Sequence, residues 1–309
     1  MGTRPLRIGT RGSPMALFQA RLVRERLQSA DPELAEDNAI ELVIIRTTGD
    51  RVQNRVLAEI GGKGLFTKEI EEALLDRRID LAVHSLKDME TALPAGLAIG
   101  CVLPRDDPRD ALVSRNGAGL RELPRGARIG TASLRRRAQL LHERPDLEIL
   151  PIRGNVDTRL AKLAAGEVDA LVLALCGLER LGKTAAVTEI LSPERMLPAV
   201  GQGALAIECR ADDTAVKDLL TPLNHPDSAA CVAAERAMLA ALDGSCRTPI
   251  AGLATIRGDR LTLEALLLSE DGGAERRGRG EGTTAEAIAI GNHVGELLRR
   301  DAGPEFGLS

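Results

Sequence analysis

The feature that most constrains what this chain can fold into is an internal repeat. Arg7-Ile8-Gly9-Thr10-Arg11-Gly12-Ser13 returns as Arg128-Ile129-Gly130-Thr131-Ala132-Ser133-Leu134. Each copy reads as a short strand running into a helix. In the first copy Ser13 suits an N-cap, Pro14 suits the first helical position, and Ala16, Ala20, Val23 and Leu27 make one apolar stripe. A second strand follows in each copy, over 41–46 and over 147–153. A third comes after a further helix and is led in by an acid, in Arg78-Ile79-Asp80-Leu81-Ala82-Val83 and in Glu167-Val168-Asp169-Ala170-Leu171-Val172. Three matches in the same order predict two lobes on one βαβαβ plan.

The repeat also sets the expected domains. Lobe 1 takes 1–103 and 204–221, and lobe 2 takes 109–197. The boundary falls in the Pro- and Asp-rich Leu103-Pro104-Arg105-Asp106-Asp107-Pro108. Leu197-Pro198-Ala199-Val200-Gly201-Gln202-Gly203 would carry the chain back, and a strand over 204–209 would rejoin lobe 1. Two-lobed binding proteins share such a double crossover, which is an analogy of fold alone. A third domain is expected over 226–309, with a helix at 228–242, strands at 250–256, 261–269 and 275–279, a hairpin at Arg257-Gly258-Asp259-Arg260, and a closing amphipathic helix at 284–300. The expected fold class is therefore α/β, two similar βαβ lobes plus a small α+β C-terminal domain.

Chemistry is expected at the strand ends. Ile79-Asp80-Leu81-Ala82-Val83-His84-Ser85-Leu86-Lys87-Asp88 drops from an apolar run into a polar cluster, as a buried parallel strand does where open α/β sheets hold ligands. An isolated Asp in such a loop is more often a helix cap, so the weight comes from its surroundings. Arg135, Arg136 and Arg137 crowd the first turn of the second lobe's helix, where each opposes the dipole by roughly a few tenths of a kcal/mol. They call for an anionic ligand or for acids on another lobe. Arg153, Arg159 and Arg180 follow in loops of the same lobe, and Arg11, Lys63 and Lys87 take comparable places in the first. Converging cations in this number suit a ligand with several carboxylates or phosphates. Gly177-Leu178-Glu179-Arg180-Leu181-Gly182-Lys183-Thr184 matches the phosphate-loop pattern, but it ends the third strand of a repeated lobe instead of opening a nucleotide fold, so a working phosphate loop is not expected.

Composition removes other classes. Among 309 residues there is no Trp or Tyr and Phe occurs three times, so stacking on single-stranded nucleic acid is not expected. A net charge of −4 gives no general pull toward nucleic acid or membrane. No signal peptide or membrane-spanning run is read. Five cysteines without Cys-x-x-Cys make neither a disulfide framework nor a zinc site, and point to a reducing cytoplasm. Cys101, Cys176, Cys209 and Cys231 read as buried packing residues. Cys246 differs, in the turn-rich Asp243-Gly244-Ser245-Cys246-Arg247-Thr248-Pro249. His84, His142, His225 and His293 are scattered, no Ser-His-Asp or Cys-His pairing has support, and no metal is expected.

Taken together, Thr10-Arg11-Gly12-Ser13-Pro14, Gly61-Gly62-Lys63-Gly64-Leu65-Phe66, His84-Ser85-Leu86-Lys87-Asp88, Ser133-Leu134-Arg135-Arg136, Arg153-Gly154-Asn155, Pro198-Ala199-Val200-Gly201-Gln202-Gly203 and the Cys246 loop resemble the porphobilinogen deaminase family over essentially the whole chain. The resemblance implies lobes similar to type-II periplasmic binding proteins and a third domain bearing a cysteine. It implies a dipyrromethane cofactor, made from two porphobilinogen units and held by a thioether to Cys246. On this primer four porphobilinogens are joined head to tail, each losing ammonia, and hydrolysis releases hydroxymethylbilane. Asp88 matches the catalytic aspartate, which assists ammonia loss and stabilises the azafulvene cation. Ser85, Lys87, Asp88, Thr131, Ser133, Arg135 and Arg136 match cofactor-binding positions. Arg11, Ser13, Arg153, Arg159 and Arg180 match positions for the substrate or growing chain, and Lys63 and Phe66 match a loop over the site. A cytoplasmic monomer of tetrapyrrole (heme) biosynthesis is expected, with porphobilinogen as its small-molecule partner.

The chain departs from the family pattern at several points. Glu59 stands where lysine is frequent, Met89-Glu90 replaces Val-Pro, Ala132 replaces a serine, and Gly-Ser-Cys-Arg replaces Gly-Gly-Cys-Gln around Cys246. The rival reading is a non-catalytic two-lobed anion-binding protein. A phosphate-loop NTPase stands third.

Overall fold

The computed structural model describes residues 5–51, 64–243 and 248–308. β1 (Leu6–Thr10) runs into α1 (Pro14–Ala30), and the Ser13 hydroxyl caps the helix by accepting from Ala16 N at 3.2 Å. Ala16, Ala20, Val23 and Leu27 are buried, and Gln19 is buried with them. β2 (Ile40–Ile44), the short α2 (Thr48–Arg51), α3 (Lys68–Leu75), β3 (Leu81–Ser85) and β4 (Leu97–Val102) follow. α3 ends at Leu75, ahead of Arg77, whose left-handed φ of 56° no helix continues through.

The second lobe opens with β5 (Asp110–Ser114) and β6 (Arg128–Gly130). It continues through α4 (Leu134–Glu143), β7 (Glu148–Leu150), α5 (Val156–Ala164), β8 (Ala170–Ala174), α6 (Leu175–Arg180) and β9 (Glu189–Leu191). β7 is shorter than the expected 147–153 because β6 offers it only three partners. β10 (Leu205–Arg210), α7 (Thr214–Leu220) and α8 (Pro226–Ala241) come next. β11 (Ile250–Arg257), β12 (Arg260–Leu268), β13 (Glu275–Thr283) and α9 (Ala287–Arg300) close the chain. No helix of the described residues is long and apolar enough to cross a membrane.

The two large sheets have one design. Their orders are β2-β1-β3-β10-β4 and β7-β6-β8-β5-β9. In each, the first three strands are parallel and the fourth is antiparallel to its neighbours. That fourth strand comes from a crossing segment both times, so the expected return strand is β10. The third sheet, β11-β12-β13, is an antiparallel meander whose Arg257↔Arg260 pair closes the expected hairpin. Along β13 a Cβ at Gly278 or Gly280 would sit 2.9 or 2.7 Å from Val294, so bare backbone there lets α9 close over the sheet. By compactness the chain divides into Met1–Arg105 with Ala204–Ala229, and Asp106–Gly203 with Ala230–Ser309.

The acid that leads in each third strand has a structural job. Asp80 Oδ2 accepts from the backbone N and the Nε of Arg7 at 2.9 and 3.0 Å. Asp169 Oδ2 accepts from the same two atoms of Arg128 at 2.9 and 3.2 Å. Each clamp ties the start of the first strand to the start of the third, so the repeat extends to side-chain hydrogen bonds.

Candidate functional site

In the first unit β3 is buried from Leu81 to His84 and passes directly into a tight turn, Leu86–Asp88. Leu86 is buried, its N–H donates to Ala204 O at 3.1 Å, and Met89 N donates back to Leu86 O at 3.1 Å. The turn is thus fixed by backbone on both sides and by one apolar anchor. It leaves Asp88 exposed and Lys87 half-buried at the carboxyl end of the parallel strands. Ser85 Oγ accepts from Gln19 Nε2 at 2.7 Å. His84, one residue earlier and on the opposite face, is buried with its Nε2 3.0 Å from the buried Glu208 Oε2. His84 is thus held in the interior of the first unit by a buried acid of β10. Burial also pushes the nearby Glu71 carboxyl up, with the Glu208 charge in support and a Thr67 hydrogen bond opposing.

Arg11 has a protein partner that its sequence neighbours did not reveal. Its Nε donates to Asp50 Oδ1 at 3.1 Å, and its guanidinium lies 4.2 Å from the centre of the Phe66 ring. Phe66 rests on bare backbone, since a Cβ at Gly49 would come 2.2 Å from the ring. Burial would raise the Asp50 carboxyl, but hydrogen bonds from Arg11 and Thr47 hold it below the usual range. Ser13, two residues along, serves as the α1 cap. Glu90, one of the departures from the family pattern, accepts from Gly64 N at 2.9 Å. Lys63, Glu59, Ser245, Cys246 and Arg247 lie outside the described residues.

In the second unit Ser133 caps α4 by accepting from Arg136 N at 3.4 Å, and the buried Thr131 accepts from Ser133 N at 3.2 Å. Arg135 and Arg136 point inward and are only 4% and 6% exposed. Both converge on Asp110, which is fully buried. Arg135 Nη1 lies 2.7 Å from Oδ2, and Arg136 Nη2 lies 2.7 Å from Oδ1. Gln202 Nε2 donates to Oδ1 at 2.8 Å as well. The acid that relieves these arginines therefore belongs to their own unit, at the first residue of β5. Burial alone would raise the Asp110 carboxyl, but the two guanidinium charges outweigh it and hold the group well below the ordinary range. Burial lowers Arg135 in turn, against the pull of Asp110. Arg137 is exposed.

Two guanidiniums on one carboxylate leave an excess of positive charge in a buried place, which is costly unless an anion answers it. Arg135 Nε is also buried with no hydrogen-bond partner among the described residues. A group carrying several carboxylates fits these residues. A pocket of about 450 Å³ in the same unit, lined by Thr248, Ser269, Glu270, Asp271 and Phe306, has an acidic rim and does not suit such a ligand.

The remaining sequence candidates are placed individually. Asn155 caps α5, and Arg159 Nε donates to Gly154 O at 2.8 Å, with Arg153 and Arg159 half-buried. Arg180 Nε donates to Asp106 Oδ2 at 2.7 Å and its Nη2 to Gly203 O at 2.8 Å. The phosphate-loop pattern fails on geometry. Gly177 and Arg180 lie inside α6, Lys183 comes after the helix, and so no loop of free backbone N–H groups precedes a helix there. Cys101, Cys176, Cys209 and Cys231 are buried, with no disulfide among the described residues, and burial pushes Cys101 up to about 12.

Residues 6–218 match the family described as porphobilinogen deaminase, dipyromethane cofactor binding domain, and residues 229–300 match porphobilinogen deaminase, C-terminal domain. A porphobilinogen deaminase of Paracoccus denitrificans is 53% identical over 302 residues, covering 98% of this chain and 96% of that relative. One of Sorangium cellulosum is 52% identical over 299 residues, covering 96% and 98%. The periplasmic aliphatic sulphonate binding protein of Escherichia coli covers 78% of this chain and 71% of its own at 16% identity, with a TM-score of 0.41. The two family matches together span the cofactor-binding lobes and the third sheet, which favours the transferase over a non-catalytic anion-binding protein. The chain belongs to the porphobilinogen deaminase family, the enzymes of tetrapyrrole biosynthesis that work with a dipyrromethane cofactor.

Proposed function

We propose that the chain joins four porphobilinogen molecules head to tail, with Asp88 as catalytic residue and Cys246 as the covalent anchor of the cofactor. In each round the aminomethyl C–N bond breaks and ammonia leaves. A C–C bond then forms to the free α-carbon of the preceding pyrrole, and that carbon gives up its proton. When bound, the dipyrromethane would supply the first such α-carbon and would remain attached after hydrolysis of the tetrapyrrole. Asp88 places a carboxylate where positive charge develops on the substrate as ammonia departs, and it can carry the proton that is lost.

The observation that carries this reading is the placement of Asp88, exposed on a turn held from both sides at the carboxyl end of β3. Ser85, Lys87, Thr131, Ser133, Arg135 and Arg136 would hold the cofactor's carboxylates. Arg11, Ser13, Arg153, Arg159 and Arg180 would serve the substrate and the growing chain, with Lys63 and Phe66 in a loop over the site. Arg11 and Arg180 already rest on Asp50 and Asp106, so a substrate carboxylate must share or displace those acids. We assign the chain three domains, 1–103 with 204–221, 109–197 and 226–309. Its buried cysteines, with no disulfide among the described residues, suit a reducing cytoplasm, and we take the working form to be a monomer without nucleic-acid partners.

The test is a mass spectrum of the chain made in a porphobilinogen-producing host. It should exceed the sequence mass by one dipyrromethane, all of it on the peptide containing Cys246. No adduct, or one on Cys101, Cys176, Cys209 or Cys231, would overturn the reading. Cys246→Ser should lack the adduct, lose activity and melt at lower temperature, because a ligand bound only to the folded state stabilises it.

A further inference from the structure

We propose that Asp110 is a positioning residue for cofactor capture, holding Arg135 and Arg136 in the geometry that receives a ligand carboxylate. The inference rests on the assignment of those arginines to the cofactor. Asp110 itself lies outside the segments that carried the resemblance and outside the repeat.

The geometry gives Asp110 more than a counter-ion's role. One carboxylate oxygen takes Arg136 through Nη2 and Nε at 2.7 and 3.2 Å, together with Gln202 Nε2 at 2.8 Å. The other faces Arg135 Nη1 at 2.7 Å. Each arginine is then tied to backbone on its far side, Arg135 to Leu197 O at 2.7 Å and Arg136 to Val172 O at 3.0 Å. Gln139 braces the same point, donating to Leu197 O and accepting from Leu197 N. Gln202 also donates to Pro108 O at 2.7 Å, and the positive φ of Gly201 and Gly203 turns the chain on either side of it.

Asp110 thus joins three pieces of one unit: the start of α4, the segment leading into β5, and the return segment through Gln202. Without it two buried guanidiniums would face each other uncompensated and would splay or draw in a stray anion. With it one positive charge remains in excess, and the Arg135 Nε stays unpartnered among the described residues. A site preorganised in this way captures a carboxylate without first ordering its own side chains.

The experiment follows cofactor uptake directly. Full-length apoprotein, made in a host without porphobilinogen, is given porphobilinogen, and the gain of one dipyrromethane is followed by intact mass. Asp110→Ala should load about tenfold or more slowly, the counterpart of lost preorganisation. Millimolar formate, which can place a carboxylate in the vacated space, should restore much of the rate, and neutral formamide should not. A wild-type rate in folded Asp110→Ala overturns the proposal. So does a slow rate that formate fails to relieve, since Asp110 would then act by packing alone.

Arg135→Leu, run in parallel, separates the two readings. Normal loading of Arg135→Leu removes the arginines from the cofactor, whereas slow loading there beside normal loading of Asp110→Ala removes only Asp110. Should Asp110→Ala fail to fold, Gln202→Leu deletes the hydrogen bonds to the carboxylate and to Pro108 O and keeps every charge. It should slow loading by about threefold, the effect of a weakened brace, and an unchanged rate would count against the proposal.

Discussion

The two sheets that share a strand plan differ in what they deliver from it. β1, α1 and β3 match β6, α4 and β8 in pairing, in a serine cap and in an Arg–Asp clamp across the strand starts. Past the ends of the strands the likeness stops. The first ends in an exposed carboxylate, Asp88, on a short turn. The second buries two guanidiniums on one acid and adds Arg153, Arg159 and Arg180 in its loops. Repeated scaffold with divergent ends separates what makes the fold from what does the chemistry. The clamps and caps recur because any copy of the plan needs them, although the capping Ser13 and Ser133 are also assigned binding roles, and the two sheets part at Asp88 and at the arginines.

The sharpest way to break this contrast is Asp88→Asn. Asp88 is exposed, so an amide of the same shape should leave stability within about 0.5 kcal/mol of wild type. Turnover should fall by about 10²-fold or more, the usual worth of a positioned acid or base. Steady-state assay beside a melting curve decides it, and near-normal turnover of a folded variant would remove Asp88 from the mechanism.

A second comparison divides the arginines of the other sheet. Arg135→Leu should give mostly apoprotein by intact mass, whereas Arg153→Leu should keep its cofactor and stall at enzyme-bound intermediates. The stability cost separates them as well. Removing Arg135 leaves Asp110 paired one-to-one with Arg136, so the loss should stay below the about 3 kcal/mol seen when a buried charge is left alone. Arg136→Leu gives up two bonds to Asp110 and one to Val172 O, and should cost more. Full cofactor in Arg135→Leu would contradict the division.

Much of this was legible in the sequence, for reasons that are local. The α1 stripe, the Ser13 cap, the closing hairpin and the turn after β3 follow from periodicity, capping and turn chemistry acting over a few residues. What was not legible is long-range pairing of charge. Asp110 lies 25 residues from Arg135 by number, just past the stretch read as a domain boundary, and nothing nearby marks it as the acid two arginines need. Asp50 under Arg11 and Glu208 beside His84 are the same kind of omission. The Gly177–Thr184 pattern shows the converse. Its spacing fits a phosphate loop, but the helix begins at Leu175 and absorbs the first glycine.

The smallest expected effect tests the shared half of the comparison. Asp80→Asn and Asp169→Asn each remove the charge of one clamp, and neither should change cofactor loading or turnover. Asp80 is the more enclosed, with 14% side-chain exposure against 28%, and Arg210 Nη2 stands 3.6 Å from it as a second cation. Its loss should cost about 2 kcal/mol and that of Asp169 about 1 kcal/mol, values ordinary for hydrogen bonds to a charged group. Hydrogen bonds from Arg128 hold the Asp169 carboxyl below the usual range, with burial opposing. A depressed carboxyl stabilises the fold fully above its unfolded value near about 4 and loses that contribution as pH falls through the folded one. The stability difference between wild type and Asp169→Asn should therefore be constant near neutrality and shrink below about pH 4. Denaturant titrations at pH 7 and pH 3 measure it. A difference that does not shrink would mean the clamp works through shape and not charge, and a loss of turnover in either variant would show that the shared scaffold is not neutral to the chemistry.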